Sequence, residues 1–364
     1  MLFENKNKLF SNALGSAGND TPEEIFIAEI AKNENLNKQK IIDLAKKCGV
    51  QADETQIKEL YEVAIMRSFK KRITSNIYKN YQIALEIYGN QVNFAHRTSN
   101  SVSLQQYSTP LPLAYIAGAY VNLNNRNLAR FLEPSAGNGL LTVALDSWKV
   151  TVNEIDRNRR NNLEKFGEYA KVTNKDGSKP FDFIAKGKEG MWGFDGIITN
   201  PPFGRWNTEK IGGYPIQKLE FIMSIRALDT MKDGGRAAII IGGHTIWDEF
   251  DRVENGANRY FLSYLYHFYN VDDVINIYGQ MYAKQGTSFP IRLILINGRK
   301  AKPDGTAPLK TAQDRTVRTF DELWERMAWC FGGRGVLHTP DNDILAEMQA
   351  AIAEMEREIF GTNH

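Results

Sequence analysis

Asn200-Pro201-Pro202-Phe203 follows the apolar run Gly196–Thr199, and this tetrapeptide has the makings of a device for activating an amino group. A proline after Asn200 keeps that residue out of helical geometry, and two prolines in succession stiffen the turn. The turn then presents the Asn200 side-chain oxygen and the Pro201 carbonyl as fixed acceptors. An aryl or amide nitrogen is a poor nucleophile because its lone pair is delocalised. Two acceptors on its two hydrogens push it towards tetrahedral geometry and free that pair. Preorganised dipoles lower barriers in this way, and the same pair of bonds orients the nitrogen at an electrophile. Phe203 could stack on a flat substrate ring.

Three further segments carry chemistry. In Glu133-Pro134-Ser135-Ala136-Gly137-Asn138-Gly139 the small residues let the chain turn tightly and let a ligand approach the backbone. The segment lacks the full dinucleotide fingerprint. Its leading carboxylate would repel a pyrophosphate and suits a cationic ligand. Asn153-Glu154-Ile155-Asp156 ends the next strand, where an acid can accept ribose hydroxyls. Glu154 and Asp156 both qualify, and the position directly after the strand favours Glu154. Asp182-Phe183 could bond an adenine amino group and pack on its ring, with Asp176 as a competitor.

These segments need a scaffold, and the apolar spacing describes one. Residues 21–90 read as four helices: one from the cap Thr21 with Pro22 behind it, then Lys38–Lys47, Glu54–Lys71 and Ile73–Tyr88. Residues 91–110 read as a linker. Beyond it strands and helices alternate: helix Leu111–Leu123, strand Leu128–Leu132, helix Gly139–Leu145, strands Lys149–Asn153 and Gly196–Thr199, helix Gln217–Met231, and strands Arg236–Gly242, Val274–Tyr278 and Arg292–Asn297. Such alternation means a mostly parallel sheet with helices on both faces, and ligands of such sheets bind at the carboxyl ends of the strands. Residues 299–315 read as a polar loop, and Phe320–Cys330 and Asp343–Phe360 as helices. The expected division is a helical domain over 1–100, an α/β domain over 101–300 and a C-terminal loop with helices over 301–364.

Composition narrows the class. Among the 364 residues, 45 Lys and Arg against 43 Asp and Glu give a net charge of +2, so overall charge does not indicate nucleic acid. Arg67, Lys70, Lys71, Arg72 and Lys79, and Lys149, Arg157, Arg159 and Arg160, form two basic groups that suit solvated surfaces or a phosphate-contacting face. No apolar run is long enough to span a bilayer. Two distant cysteines, Cys48 and Cys330, point to a reducing cytosol, and the five scattered histidines argue against a metal site. His244, directly after Gly242-Gly243, reads as a loop histidine.

Together these motifs resemble the S-adenosylmethionine-dependent amino-group methyltransferases, in particular the N6-adenine DNA methyltransferases of the gamma motif order. Gln106-Tyr107-Ser108-Thr109-Pro110 resembles the family's N-terminal cofactor segment, and residues 105–298 carry the likeness. The stretch through Asn200 and Lys218-Leu219-Glu220-Phe221 is also similar to methylase-like modules of phage and mobile elements, some joined to strawberry-notch-type helicases. The resemblance implies a Rossmann-like, seven-stranded sheet with one antiparallel strand and S-adenosylmethionine as cofactor. It implies a cofactor site of Tyr107, Ser108, Thr109, Pro110, Glu133, Pro134, Ser135, Ala136, Gly137, Gly139, Glu154, Ile155, Asp182 and Phe183. The target adenine would be flipped out of duplex DNA, its amino group held by Asn200 and Pro201 beside Pro202, with Phe203 on the base.

Family members of this order usually carry a long recognition domain after the catalytic one, and here only residues 298–364 follow Asn297. Sequence choice is therefore expected from the N-terminal helices, from a separate specificity or helicase partner, or from two loops. One is Gly204–Gln217, with Arg205, Trp206, Lys210 and Tyr214; the other is Gly279–Pro290, with Gln280, Tyr282, Lys284 and Gln285. RNA adenine and the glutamine amide of release factors are the alternative acceptors, because the same turn serves both. A non-catalytic DNA-binding module is the alternative of another class.

Overall fold

The computed structural model describes residues 22–32, 36–47, 53–93, 108–181 and 193–332. Residues 1–320 group as one compact unit and 321–364 as a second.

In the first unit, helices α1 (Pro22–Ala31), α2 (Lys38–Lys47), α3 (Glu54–Arg72) and α4 (Ile77–Asn90) come first. Asp53 caps α3 by accepting from Gln56 N at 2.8 Å, and Asn76 caps α4 by accepting from Lys79 N at 2.9 Å. The second cap explains why α4 starts four residues later than the apolar spacing predicts. Helix α5 (Leu111–Asn122) begins just behind Pro110 and is buried almost along its whole length. Strands β1 (Phe131–Glu133), β2 (Val150–Asn153), β3 (Lys171–Thr173), β4 (Phe194–Thr199), β7 (Met231–Gly242), β8 (Tyr269–Ile277) and β9 (Ile291–Arg299) form one sheet. Its order is β3-β2-β1-β4-β7-β9-β8. All neighbours run parallel except β9, which is antiparallel to both β7 and β8. The fold is therefore α/β and Rossmann-like, with seven strands of which one is reversed.

Alternation along the central strands sorts the two faces. Ile197, Ala237, Ile239, Ile241, Ile294 and Ile296 face a core shared with α7 (Leu219–Leu228) and α8 (Ala257–Phe268). There Phe221 and Phe261 stack with ring centroids 4.2 Å apart. Gly196, between Phe194 and Ile197, faces the other way, where a Cβ would stand 2.4 Å from Val121 of α5 and 2.7 Å from Phe131. Its lack of a side chain lets α5 lie flat on β4. No helix among the described residues is long and apolar enough to cross a membrane.

Several elements differ from the sequence reading. Residues 139–145 hold only a 3-10 turn, Leu140–Thr142, because Gly139 is left-handed (φ 87°) and Thr142 turns its hydroxyl onto the Gly139 carbonyl at 2.8 Å. Leu128 is 90% exposed and lies outside β1. The segment after the Asn-Pro-Pro-Phe turn is not a loop but a hairpin of β5 (Arg205–Ile211) and β6 (Tyr214–Lys218), closed by Gly212 and Gly213, both at positive φ. Helix α6 (Arg157–Phe166), α8 and β3 were not expected. Helix α9 (Phe320–Met327) continues into a 3-10 turn, and within the second unit Trp324 and Phe331 stack at 5.8 Å. The helix expected over 343–360 lies outside the described residues.

Crowding at Gly196 gives a stability test. Gly196→Ala should cost about 1–3 kcal/mol, the usual toll of overpacking. Leu128→Ser should stay within about 0.5 kcal/mol, as surface changes do. Thermal unfolding of the two variants checks this; equal midpoints would show that α5 and β4 are not tightly apposed.

Candidate functional site

The carboxyl ends of β1, β2 and β4 meet at one edge of the sheet, and the turns that leave them are stitched together. Ala136 N donates to Asn153 O at 2.9 Å, and Ser135 Oγ lies 3.1 Å from Thr199 Oγ1. Glu154 is buried, and both its oxygens hold backbone: Oε2 accepts from Gly137 N and Oε1 from Asp156 N, each at 2.7 Å. Burial raises the Glu154 pKa, and the two N–H donors oppose that rise. Gly137 sits at φ 56° with no atom near where a Cβ would point, so the turn offers open backbone to the space above it.

That space is a cavity of about 410 Å³. Its wall is formed by Ala136, Gly137, Glu154, Ile155, Asp176 and Ser178 together with Thr109, Asn200, Pro201, Pro202 and Phe203. Ser108, Pro134 and Ser135 also line it, whereas Pro110 is buried behind the wall and Gly139 packs under Tyr169. Asp156, the other candidate acid, instead caps α6 by accepting from Arg159 N at 3.0 Å. Asp176 accepts from Ser178 N and Oγ, which lowers its pKa. Tyr107, Asp182 and Phe183 lie outside the described residues.

Glu133 is placed one layer deeper than a wall residue. It is fully buried, and Oε1 accepts from Ser135 N at 2.9 Å and from Ser135 Oγ at 3.2 Å. Its Oε2 is buried without a hydrogen bond. Burial pushes the Glu133 carboxyl up to about 8, opposed by the Ser135 bonds and reinforced by Glu154.

The Asn-Pro-Pro-Phe turn is fixed from several sides. Asn200 Nδ2 donates to Thr109 Oγ1 at 3.0 Å, which orients the amide, and Thr109 is buried. Gly204 N donates to Glu220 Oε2 at 3.0 Å, and Leu219 N donates to Gly204 O at 3.0 Å. Phe203 lies 6.2 Å from Phe289, centroid to centroid, and the two rings crowd Gly242, where a Cβ would come within 3.1 Å of both. Phe289 is 51% exposed and lines the same cavity. Phe289 and Thr287 belong to the second loop that the sequence offers for the substrate, though no spacing singles them out within it; Met223 on the wall was missed, because on an amphipathic helix it reads as core.

Of the residues expected to meet substrate, Trp206 and Tyr282 line the cavity, and Arg205 and Lys210 are exposed on β5. The hairpin is anchored by an ion pair of Glu209 with Arg226. Lys284 is placed away from the cavity wall, donating to Gly89 O and standing 5.7 Å over the Tyr88 ring. His244 Nε2 is 2.8 Å from Ile277 O. Much of both basic groups is engaged within the chain. Lys70 donates to Leu145 O and Ser147 Oγ, and burial pushes its ammonium down to about 8. Arg72 pairs with Glu86, Lys149 with Asp146 and Arg159 with Glu59. Lys71, Lys79 and Arg157 are exposed.

No family model and no curated protein matches the chain. Solved structures do resemble it. A protein of Listeria monocytogenes assigned as a class I S-adenosylmethionine-dependent methyltransferase is 12% identical with a TM-score of 0.42, over 88% of this chain and 97% of that one. A protein of Vibrio vulnificus assigned as the modification subunit of a type I restriction enzyme is 17% identical with a TM-score of 0.46, over 88% and 68%. The M protein of the type I restriction enzyme EcoKI is 13% identical with a TM-score of 0.41, over 84% and 75%. At such identity and overlap these likenesses assign no substrate, and what the site can do follows from its own residues.

Glu133 gives a pH test of the unliganded protein. With a folded pKa near 8 and an ordinary value of 4.5 when unfolded, the folded state holds the extra proton between the two. The stability this contributes is complete below the unfolded value and is lost as pH rises to about 8. Chemical denaturation at pH 5 and pH 8 should show a larger loss for the natural chain than for Glu133→Gln. Parallel losses would mean that Glu133 is ionised throughout.

Proposed function

We propose that this chain transfers a methyl group from S-adenosylmethionine to N6 of adenine in DNA. The observation that carries the reading is that one cavity is lined both by the acids Glu154 and Asp176 and by the Asn200–Phe203 turn. The residues present fit that cofactor. Open backbone at Gly137, acids suited to ribose hydroxyls and to positive charge, and a mouth lined by aromatic rings match a cationic adenosine compound better than a pyrophosphate. When bound, S-adenosylmethionine supplies a methyl group activated by its sulfonium charge.

The chain's own residues do the rest. Glu154 has lone pairs left beyond the two it gives to backbone, and these are suited to the ribose hydroxyls. Thr109 holds Asn200 by its amide nitrogen, so that Oδ1 is turned to accept from the target amine, with the Pro201 carbonyl as second acceptor. Phe203 and Phe289 offer faces for a flipped base. The hairpin presents Arg205 and Lys210 as phosphate contacts beside Trp206. A further chain, a specificity subunit or a helicase, would add sequence choice.

The experiment is transfer of labelled methyl to unmethylated genomic DNA, followed by digestion to nucleosides. Label should appear in N6-methyl-2′-deoxyadenosine. Asn200→Ala should reduce the rate by about 100-fold or more, and Thr109→Val by about tenfold, with cofactor affinity little changed in both. Label on RNA or a release factor, but not on DNA, would replace the substrate and keep the chemistry. Arg205→Ala combined with Lys210→Ala should flatten the salt dependence of DNA affinity by about two phosphate contacts. An unchanged slope would remove the hairpin from the interface.

A further inference from the structure

Two buried acids of α3 reach the turn behind β1. Glu59 is 8% exposed, accepts from Arg159 Nε at 3.0 Å and Nη2 at 2.9 Å, and also accepts from Asn138 Nδ2. Its charge is thereby matched. Glu62 is 3% exposed and lines the cavity. Its Oε2 accepts from Asn138 Nδ2 at 2.9 Å, but its Oε1 is buried without a hydrogen bond. Lys58 Nζ, one helical turn away, stands 3.8 Å from that oxygen, beyond hydrogen-bond reach. A buried carboxylate oxygen without a donor is costly. Of the two cations on the cavity wall, Arg159 is already committed to Glu59 and Lys175 lies just past β3.

We infer that Glu62 is a cofactor-binding residue, and that its Oε1 accepts from the amino group of the cofactor's amino-acid tail. The inference rests on the reading of the cavity as an S-adenosylmethionine site. Of the two cationic groups in that compound, the sulfonium has no hydrogen to donate and the amine has three, so the amine is the one that satisfies Oε1. The neighbours of Glu62 on the wall, Gly137 and Asn138, belong to the same turn that Glu154 holds on its other side. Helix α3 therefore contributes both a ligand contact and the brace of the turn.

Calorimetry on the full chain with two probes tests this without catalysis. S-adenosylhomocysteine has the amine and no sulfonium charge; 5′-methylthioadenosine lacks the amino-acid tail. Glu62→Gln keeps an acceptor for Asn138 and removes the charge. It should weaken S-adenosylhomocysteine about tenfold or more, and leave 5′-methylthioadenosine within about twofold. Glu62→Asp, which keeps the charge one methylene further back, is read with the same two probes if the first variant does not fold. Equal losses for both probes, or no loss for either, would overturn the contact. A natural chain that binds neither probe would overturn the cofactor reading itself, whereas a natural chain that binds both beside an unaffected variant would overturn the role of Glu62 alone.

Discussion

A carboxylate with two oxygens can hold two backbone N–H groups at once, and Glu154 does so at the end of β2. One donor, Gly137, belongs to the turn leaving β1; the other, Asp156, belongs to the turn leading into α6. Parallel neighbours bring these turns side by side but supply no ladder bonds beyond the strand ends, so their N–H groups need other partners. The Glu154 side chain supplies them. With Ala136 N on Asn153 O and Ser135 on Thr199, three separate turns become one floor. The cavity exists because that floor is tied down while Gly137, at positive φ, leaves it bare.

Burial around this floor has an electrostatic consequence. Glu133 and Glu154 are both raised by desolvation, and each burdens the other or is burdened by acids nearby. Glu62 and Asp176 add to the acids on or near the wall, while Arg159 is matched by Glu59. Glu133, pushed up to about 8, is the protonated member of this set, and Lys175 brings a positive charge to the same wall, so selection by the cavity falls to the hydrogen bonds its acids can accept.

The strands and their turns were legible in the sequence because each chemical motif sits directly after a short apolar run, and such runs end at the binding edge of a parallel sheet. Position alone favours Glu154 over Asp156; both acids accept from backbone, and of the two Glu154 lines the cavity while Asp156 caps α6. The hairpin was misread because Asn207, Thr208, Glu209 and Lys210 lack an apolar alternation. The Gly212-Gly213 pair was the available signal for it. The basic groups could not be divided from sequence, since nothing in their spacing tells a lysine bound for Leu145 O from one bound for solvent. Glu62 was equally hidden. Helix α3 is buried on nearly every side, so periodicity gives it no polar face on which an acid could be assigned a role.

The position of α3 changes what the N-terminal helices mean. By sequence they read as a domain apart, joined through a linker. Yet Asn138, between the two left-handed glycines of the turn, is held by both Glu59 and Glu62. Glycines give a turn its shape at the cost of conformational entropy, and a turn so loose must be restrained from outside if it is to offer a fixed surface. Glu154 restrains it from the sheet and α3 from the helices. The helices group with the sheet in one compact unit, and the turn is where that union has a chemical purpose: neither side alone would hold Gly137 and Asn138 in place.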